Sequence, residues 1–393
     1  MKYIALVLIL SLNCFTAFSQ DPDFGGKKHS INSKYLNESR EIWVGLPAGY
    51  DSTISYPTIY VMDAEYQFDI TYAIMKELAV NDKIPNHIVV GIPYQDPQKR
   101  VYDLTFTTNS YNSDGTPDSL IATYFSDSLT GGGVNFLKYL VDEVVPWVNS
   151  EYNTNGFDVY IGHSLSGYFG AYMLVQENPF EALQLYDPSI WYEHGDVIRY
   201  VEKNGNSKIQ SNVFISTANG GKERQQYNVD THQEFYDLLQ GKKVNSELKI
   251  YEEGHSSVRL PSLIDGLTNL YEGYAIGTIM PTDTITAQDV KDHYAAFSNK
   301  VNFEFTPTVE AFRWTGYVNH YQGKWPEAID AYKECTSLYK SDLMMLLEFA
   351  DCYFQLEEYG KSMEVYEMVL EIDPTNEGAQ LRKEEIKKLL DKG

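Results

Sequence analysis

The sequence predicts an α/β protein, with a mostly parallel central sheet covered by helices and a small all-helical domain at the C-terminus. Three observations carry that reading. From Ser30 to about residue 280, short β-branched and aromatic runs alternate with helical patterns. Beyond residue 280 the pattern is helical alone. Within that tail, two segments repeat at a fixed offset of 34 residues. The composition of the 393 residues, 43% hydrophobic and 22% charged, is that of a globular protein. A formal net charge of −24 argues against nucleic acid or an anionic membrane surface as partner, since both would be repelled.

The first twenty residues, MKYIALVLILSLNCFTAFSQ, read as a secretory signal peptide. One lysine precedes an apolar run from Tyr3 to Leu12, and a small-residue site follows near Ala17-Phe18-Ser19. The run is too short for a stable span, and no other stretch approaches the ~20 apolar residues of a membrane helix. The mature protein is therefore expected to be exported, periplasmic or secreted, with no membrane span. Lipidation at Cys14 is the weaker reading, because SLNC lacks the usual small residue before the cysteine. The two remaining cysteines, Cys335 and Cys352, read as buried helix residues, with a disulfide as the alternative in an oxidising compartment.

The predicted α/β domain covers 21–280. Its strands are REIWVGLP, PTIYVMD, HIVVGIP, FDVYIG, NVFIST and ELKIYEEG, each bounded by Gly, Pro or Asp. Between them NFLKYLVDEVVPWVNSEY, GYFGAYMLVQE and HQEFYDLLQG carry apolar residues at helical spacing. Sites in such sheets form at the carboxyl ends of the strands. A helical linker is expected over 281–308. In the tail, GKWPEAIDAY (323–332) aligns with EEYGKSMEVY (357–366), so that Trp325 pairs with Tyr359, Ala328 with Ser362 and Tyr332 with Tyr366. A 34-residue period with small residues at the close helix contact is the tetratricopeptide signature. Repeats are placed at 309–342 and 343–376, with a capping helix at 377–391.

The chemistry centres on YIGHSLSGYFG, residues 160–170. A serine on a strand-to-helix elbow is usually spelled G-x-S-x-G. Here Gly162 and Ser164 fit, Ser166 stands where the second glycine belongs, and Gly167 comes one place late. Ser164 is the nucleophile candidate. Ser166 is not, because its neighbours two away are Ser164 and Tyr168, and it reads as a tolerated small substitution. A hydroxyl needs an imidazole to take its proton and a carboxylate to orient that imidazole. Five histidines follow Ser164. His255, in the Gly-Ser turn EGHSS after a strand, is the base candidate, and His194 in WYEHGD is the runner-up. Glu223, Asp187 and Asp230 are all candidates for the acid.

These residues resemble the esterase D-like family of α/β-hydrolases, which includes siderophore, feruloyl and acetyl-xylan esterases. The resemblance runs from about residue 28 to 275, through LPAGYD, YPTIYVMDAE, GHSLSGYFG, PSIW and YEEGHSS in the family's order. It implies an α/β-hydrolase sandwich, with Ser164 as nucleophile, His255 as base and Glu223 as acid, since the family acid follows the strand read as NVFIST. It implies an oxyanion hole from the N–H groups of Leu165 and Glu65, although Ala64 stands where the family usually has glycine. Arg100 and Asp103 match a recurring pair, read as an ion pair or loop clamp, and Trp191 is assigned to the wall of the acyl pocket. No cofactor and no metal are implied. The partner expected is a small-molecule ester, and the loop over 104–134 is expected to set which one. The repeats suggest a protein partner or self-association. A non-catalytic binding platform built from the same fold is the alternative function, and the intact set of serine, acid and histidine argues against it.

Overall fold

The computed structural model describes residues 26–107, 130–205, 209–220, 223–277, 284–338 and 342–391. The expected leader and most of the 104–134 loop lie outside these residues. The chain divides into two compact units between Leu270 and Tyr271.

The first unit is an α/β-hydrolase sandwich around an eight-stranded sheet of order β1-β2-β4-β3-β5-β6-β7-β8. The strands are β1 (Lys27–Ser33), β2 (Glu38–Gly45), β3 (Tyr56–Met62), β4 (Ile88–Ile92), β5 (Thr154–His163), β6 (Phe180–Tyr186), β7 (Asn212–Ala218) and β8 (Ser246–Tyr251). β1 and β2 pair antiparallel at one edge, and every later pairing except β2 with β4 is parallel. β3, β4 and β7 are buried along their whole length, which is why their sequences read as continuous apolar runs. β1 escapes that pattern. In KKHSINS only Ile31 and Ser33 are buried, as befits an edge strand.

Helices cover the sheet: α1 (Ala64–Val80), α2 (Pro97–Leu104), α3 (Gly133–Tyr139), α4 (Val145–Glu151), α5 (Leu165–Met173), α6 (Asp196–Asn204), α7 (Glu223–Gly241) and α8 (Arg259–Leu270). A π-turn over Leu140–Val144 joins α3 to α4, so that NFLKYLVDEVVPWVNSEY forms one nearly continuous rod. Pro146 is accommodated there at the first turn of α4.

The second unit is all helical: α9 (Ala287–Val301), α10 (Val309–Tyr321), α11 (Trp325–Leu338), α12 (Leu343–Gln355), α13 (Tyr359–Ile372) and α14 (Glu377–Leu390). Helices begin at 309, 343 and 377, and at 325 and 359, which is a spacing of 34 residues in both series. Side-chain caps from Thr308, Asp342 and Asn376 open α10, α12 and α14, each accepting the N–H three residues on. Small residues sit at the helix contacts: Ala328 and Ser362 are fully buried, and the Ser362 hydroxyl donates to the Ala350 carbonyl at 2.9 Å. Cys335 and Cys352 are buried free thiols.

Gly316 on α10 faces the Tyr332 ring so closely that a Cβ would stand 2.3 Å from its Cε1. Gly316→Ala is therefore expected to destabilise the second unit by about 1–3 kcal/mol, visible as a lower midpoint in guanidinium unfolding. In the first unit, Asp158 on β5 is buried, and its Oδ1 has no hydrogen-bond partner among the described residues. Burial pushes its carboxyl up to about 8, with the neighbouring Glu181 adding to the rise. The folded state then holds a proton that the unfolded chain releases near pH 4, so stability falls as pH rises from about 4 to 8. Asp158→Asn should flatten that decline and raise stability at pH 8 by on the order of 1–3 kcal/mol, read from melting curves across pH.

Candidate active site

The nucleophile candidate occupies the turn from β5 into α5. Ser164 has φ 61° and ψ −119°, a conformation that costs a non-glycine residue energy and persists only where its surroundings fix it. They do so through three backbone hydrogen bonds. Ser164 N–H donates to the Tyr186 carbonyl at 3.0 Å, and its own carbonyl accepts from Ser189 N–H at 2.9 Å and Tyr168 N–H at 3.0 Å. The glycines fit around this turn. A Cβ on Gly162 would lie 2.5 Å from the Ser166 carbonyl oxygen, and one on Gly167 would lie 2.8 Å from Pro188 Cβ. The late glycine thus makes room for the loop that follows β6.

That loop carries the carboxylate. Asp187 follows β6 directly, at φ 40°, and is 1% exposed. Its Oδ2 accepts from His255 Nδ1 at 2.5 Å, and its Oδ1 accepts from Ala218 N–H at 3.0 Å. Burial pushes the carboxyl up, but the His255 hydrogen bond, His232 and the Ala218 N–H outweigh it and hold the group below the usual carboxylate range. His255 sits in the turn after β8, with its side chain 46% exposed. Because Nδ1–H is spent on Asp187, the neutral ring keeps the Nε2 lone pair for a proton.

Two further histidines brace this pair. His163, the residue before Ser164, is buried and bonds through Nε2 to the His255 carbonyl at 2.7 Å, with the two rings 4.5 Å apart. Burial lowers its pKa to about 3, so it is neutral and donates that proton to the carbonyl. His232, on α7 and fully buried, bonds through Nε2 to the Pro188 carbonyl at 2.6 Å and through Nδ1 to Thr217 Oγ1 at 2.9 Å. Burial lowers its pKa too.

Of the three carboxylates weighed in the sequence, the structure brings Asp187 to His255. The carboxylate on His255 is Asp187, one strand earlier than Glu223. β6 lies beside β5, so its end reaches the elbow, and β7 contributes a backbone N–H to the same carboxylate. Glu223 opens α7, and its side chain lies outside the described residues. Asp230 is exposed further along α7. A cue was present in the sequence: an Asp-Pro pair directly after an apolar run, in LQLYDPSIW. His194, the runner-up base, is exposed at φ 54° in the loop before α6. Ser164 Oγ lies 3.3 Å from Ser189 Oγ, and among the described residues it has no hydrogen bond to the His255 ring. Such contacts often tighten only when substrate binds. Trp191, half-buried, stands two residues beyond Ser189.

Arg100 and Asp103 do not pair with each other. Arg100 makes a two-pronged ion pair with Asp63, at 2.5 and 2.8 Å, while Asp103 pairs with Arg40 at 2.7 Å. Asp63 is the left-handed residue, φ 54°, that turns β3 into α1. Ala64 and Glu65 follow it. The Ala64 methyl packs against Gly91, where a Cβ would lie 2.9 Å away, so β4 supplies the space for an alanine at this turn. The Glu65 carboxylate accepts the N–H groups of Tyr94 and Gln95 at 2.9 and 3.1 Å, which fixes the turn from above. Glu65 and Leu165 thus sit in the first turns of helices leaving adjacent parallel strands, where N–H groups lack intrahelical acceptors.

Ser166 is more than a tolerated substitute for glycine. It is fully buried, its hydroxyl lies 2.8 Å from both Asp63 Oδ2 and the His163 carbonyl, and it accepts from His163 N–H at 2.9 Å. The sequence signal for this contact, a polar residue in the glycine position, was legible, but its partner 103 residues away was not.

Strained serine, imidazole and buried carboxylate at the ends of a mostly parallel sheet define a serine-hydrolase type of site. Residues 33–180 match the family model described as "Putative esterase". An IroE-like serine hydrolase from Shewanella oneidensis is 25% identical and superposes with a TM-score of 0.66 over 80% of this chain and 100% of its own. The siderophore hydrolase EstA from Aspergillus nidulans, at 19% identity, shares the fold with a TM-score of 0.53, over 65% of this chain and 98% of its own. The uncharacterized protein YjcH of Bacillus subtilis is 26% identical over 137 residues, which is 34% of this chain and 47% of that protein. The family match and the IroE-like hydrolase together support a carboxylic ester hydrolase. Among the described residues, no helix is long and apolar enough to cross a membrane.

Proposed function

We propose that the chain is an exported serine ester hydrolase acting through Ser164, His255 and Asp187. The observation that carries this reading is the Asp187–His255 hydrogen bond beside a serine held at φ 61°. In the reaction, Ser164 Oγ attacks the ester carbonyl carbon as its proton passes to His255 Nε2. Asp187 keeps the ring oriented and favours the imidazolium. The N–H groups of Leu165 and Glu65 receive the oxyanion, each worth about 2.7–4 kcal/mol of barrier. His255 then gives its proton to the departing alkoxide, leaving an acyl group on Ser164. Water attacks that acyl carbon with His255 as base, and collapse releases the acid and restores the serine.

The substrate is a small ester of the siderophore, feruloyl or acetyl-sugar kind. The siderophore hydrolase among the structural neighbours supports the first class. Trp191 would wall the acyl side. We read the second unit as two tetratricopeptide-type repeats with a capping helix, on the 34-residue spacing of its helices, and as the part that meets a protein partner or a second copy.

A fluorophosphonate should label Ser164, and Ser164→Ala should abolish turnover of short nitrophenyl esters. Labelling of a different serine would overturn the assignment. Asp187→Asn should lower kcat by up to about 10⁴-fold, whereas Glu223→Gln should leave it within about twofold. The reverse pattern would restore Glu223 as the acid. A panel containing an iron-siderophore lactone and feruloylated and acetylated sugars would rank the substrates by kcat/KM.

A further inference from the structure

Resting on the hydrolase reading, we propose that Ser166 is a positioning residue that ties together the two turns forming the oxyanion hole. One turn, Asp63-Ala64-Glu65, ends β3. The other, His163-Ser164-Leu165, ends the neighbouring β5. Each contains a residue held at positive φ, Asp63 at 54° and Ser164 at 61°. Neither conformation is self-sustaining, so the spacing between the two donor N–H groups depends on what joins the turns.

The Ser166 hydroxyl joins them directly. It accepts the His163 N–H at 2.9 Å on one side and reaches Asp63 Oδ2 at 2.8 Å on the other. The Ser166 backbone is pinned in turn by the Tyr160 hydroxyl, which donates to its carbonyl at 2.6 Å. Arg100 completes the tie, holding both Asp63 oxygens and lying 3.5 Å from the His163 carbonyl. Burial raises the Asp63 pKa, but Arg100, Ser166 and Tyr66 overcome that and keep the carboxyl charged. A glycine at 166 would leave His163 N–H and Asp63 Oδ2 without their shared partner. The residue that breaks the usual motif therefore replaces a glycine's spare volume with a cross-link. Its hydroxyl bonds to Asp63 and His163 rather than to Ser164, so its effect on the reaction runs through donor geometry, where displacements well below 1 Å are felt.

The test compares wild type, Ser166→Gly, Ser166→Ala, Asp63→Asn and the Ser166→Ala/Asp63→Asn double variant. Each is titrated with a fluorophosphonate, so that rates are expressed per reactive serine. Inhibition by a boronic acid, which forms a tetrahedral adduct, is measured alongside steady-state hydrolysis of nitrophenyl butyrate. The expected result is a kcat about tenfold lower in both Ser166 variants, with KM within about twofold and boronate affinity weakened by a factor similar to kcat. The double variant should be no slower than the slower single one, because one link is cut once. Ser166→Gly carries the residue usual at this place in the motif, and Asp63→Asn cuts the same link from the other side. If Ser166→Gly keeps kcat and boronate affinity within twofold per titrated serine, the inference is wrong whatever Asp63→Asn, which also cuts the Arg100 pair, does, while the hydrolase reading stands. A wild type inert towards every ester, with no serine labelled, would instead remove the hydrolase reading and this inference with it.

Discussion

The buried carboxylate of Asp187 is the group on which the rest of the site depends. A charge 1% exposed is costly unless its oxygens are occupied, and here they are occupied by groups from two other strands. The end of β7 supplies the Ala218 N–H, and the turn after β8 supplies His255. Asp187 thus fixes the imidazole and fastens the carboxyl ends of β6, β7 and β8 to one another. Pro188, next in the chain, offers its carbonyl to buried His232 and its ring to Gly167 on α5. Orientation of the His255 ring and shape of the elbow follow from one short loop.

Much of the first unit was legible because parallel strands buried on both faces leave continuous apolar runs. The runs around Tyr60, Val90 and Tyr160 announced β3, β4 and β5 without help from periodicity. β1 was not read, because an edge strand with only one buried hydrophobic side chain, Ile31, has too little apolar patterning to separate it from a loop. The turns that carry Ser164 and His255 were readable from local chemistry, a glycine-flanked turn after a strand in each case. Which of Glu223, Asp187 and Asp230 meets His255 was not. Every loop of so acidic a chain offers an Asp or Glu, and the deciding fact is which strand lies beside β5, a property of sheet order that residue spacing does not encode. The same limit hid the partners of Arg100, which reaches across 37 residues to Asp63 rather than to Asp103 on its own helix.

The second unit shows the opposite balance. Its helices start at 34-residue intervals, a regularity visible in the sequence because similar residues recur at the helix contacts. Small residues recur at that contact, and the two cysteines are buried among these helices as free thiols. Burial pushes both thiols above their ordinary pKa, Cys335 to about 11, which leaves them protonated and poor at attacking a disulfide.

The displaced glycine of the elbow carries a consequence for how such motifs vary. Gly162 is demanded by the carbonyl of residue 166, and Gly167 by the proline that follows Asp187. Each glycine therefore records the position of a neighbour and not a requirement of the serine. In a relative that lacks that proline, position 167 would be free to carry a side chain. In one whose β3 turn lacks an acid, a hydroxyl at 166 would keep only its bonds to the His163 backbone. The spelling of this elbow thus answers to two distant loops.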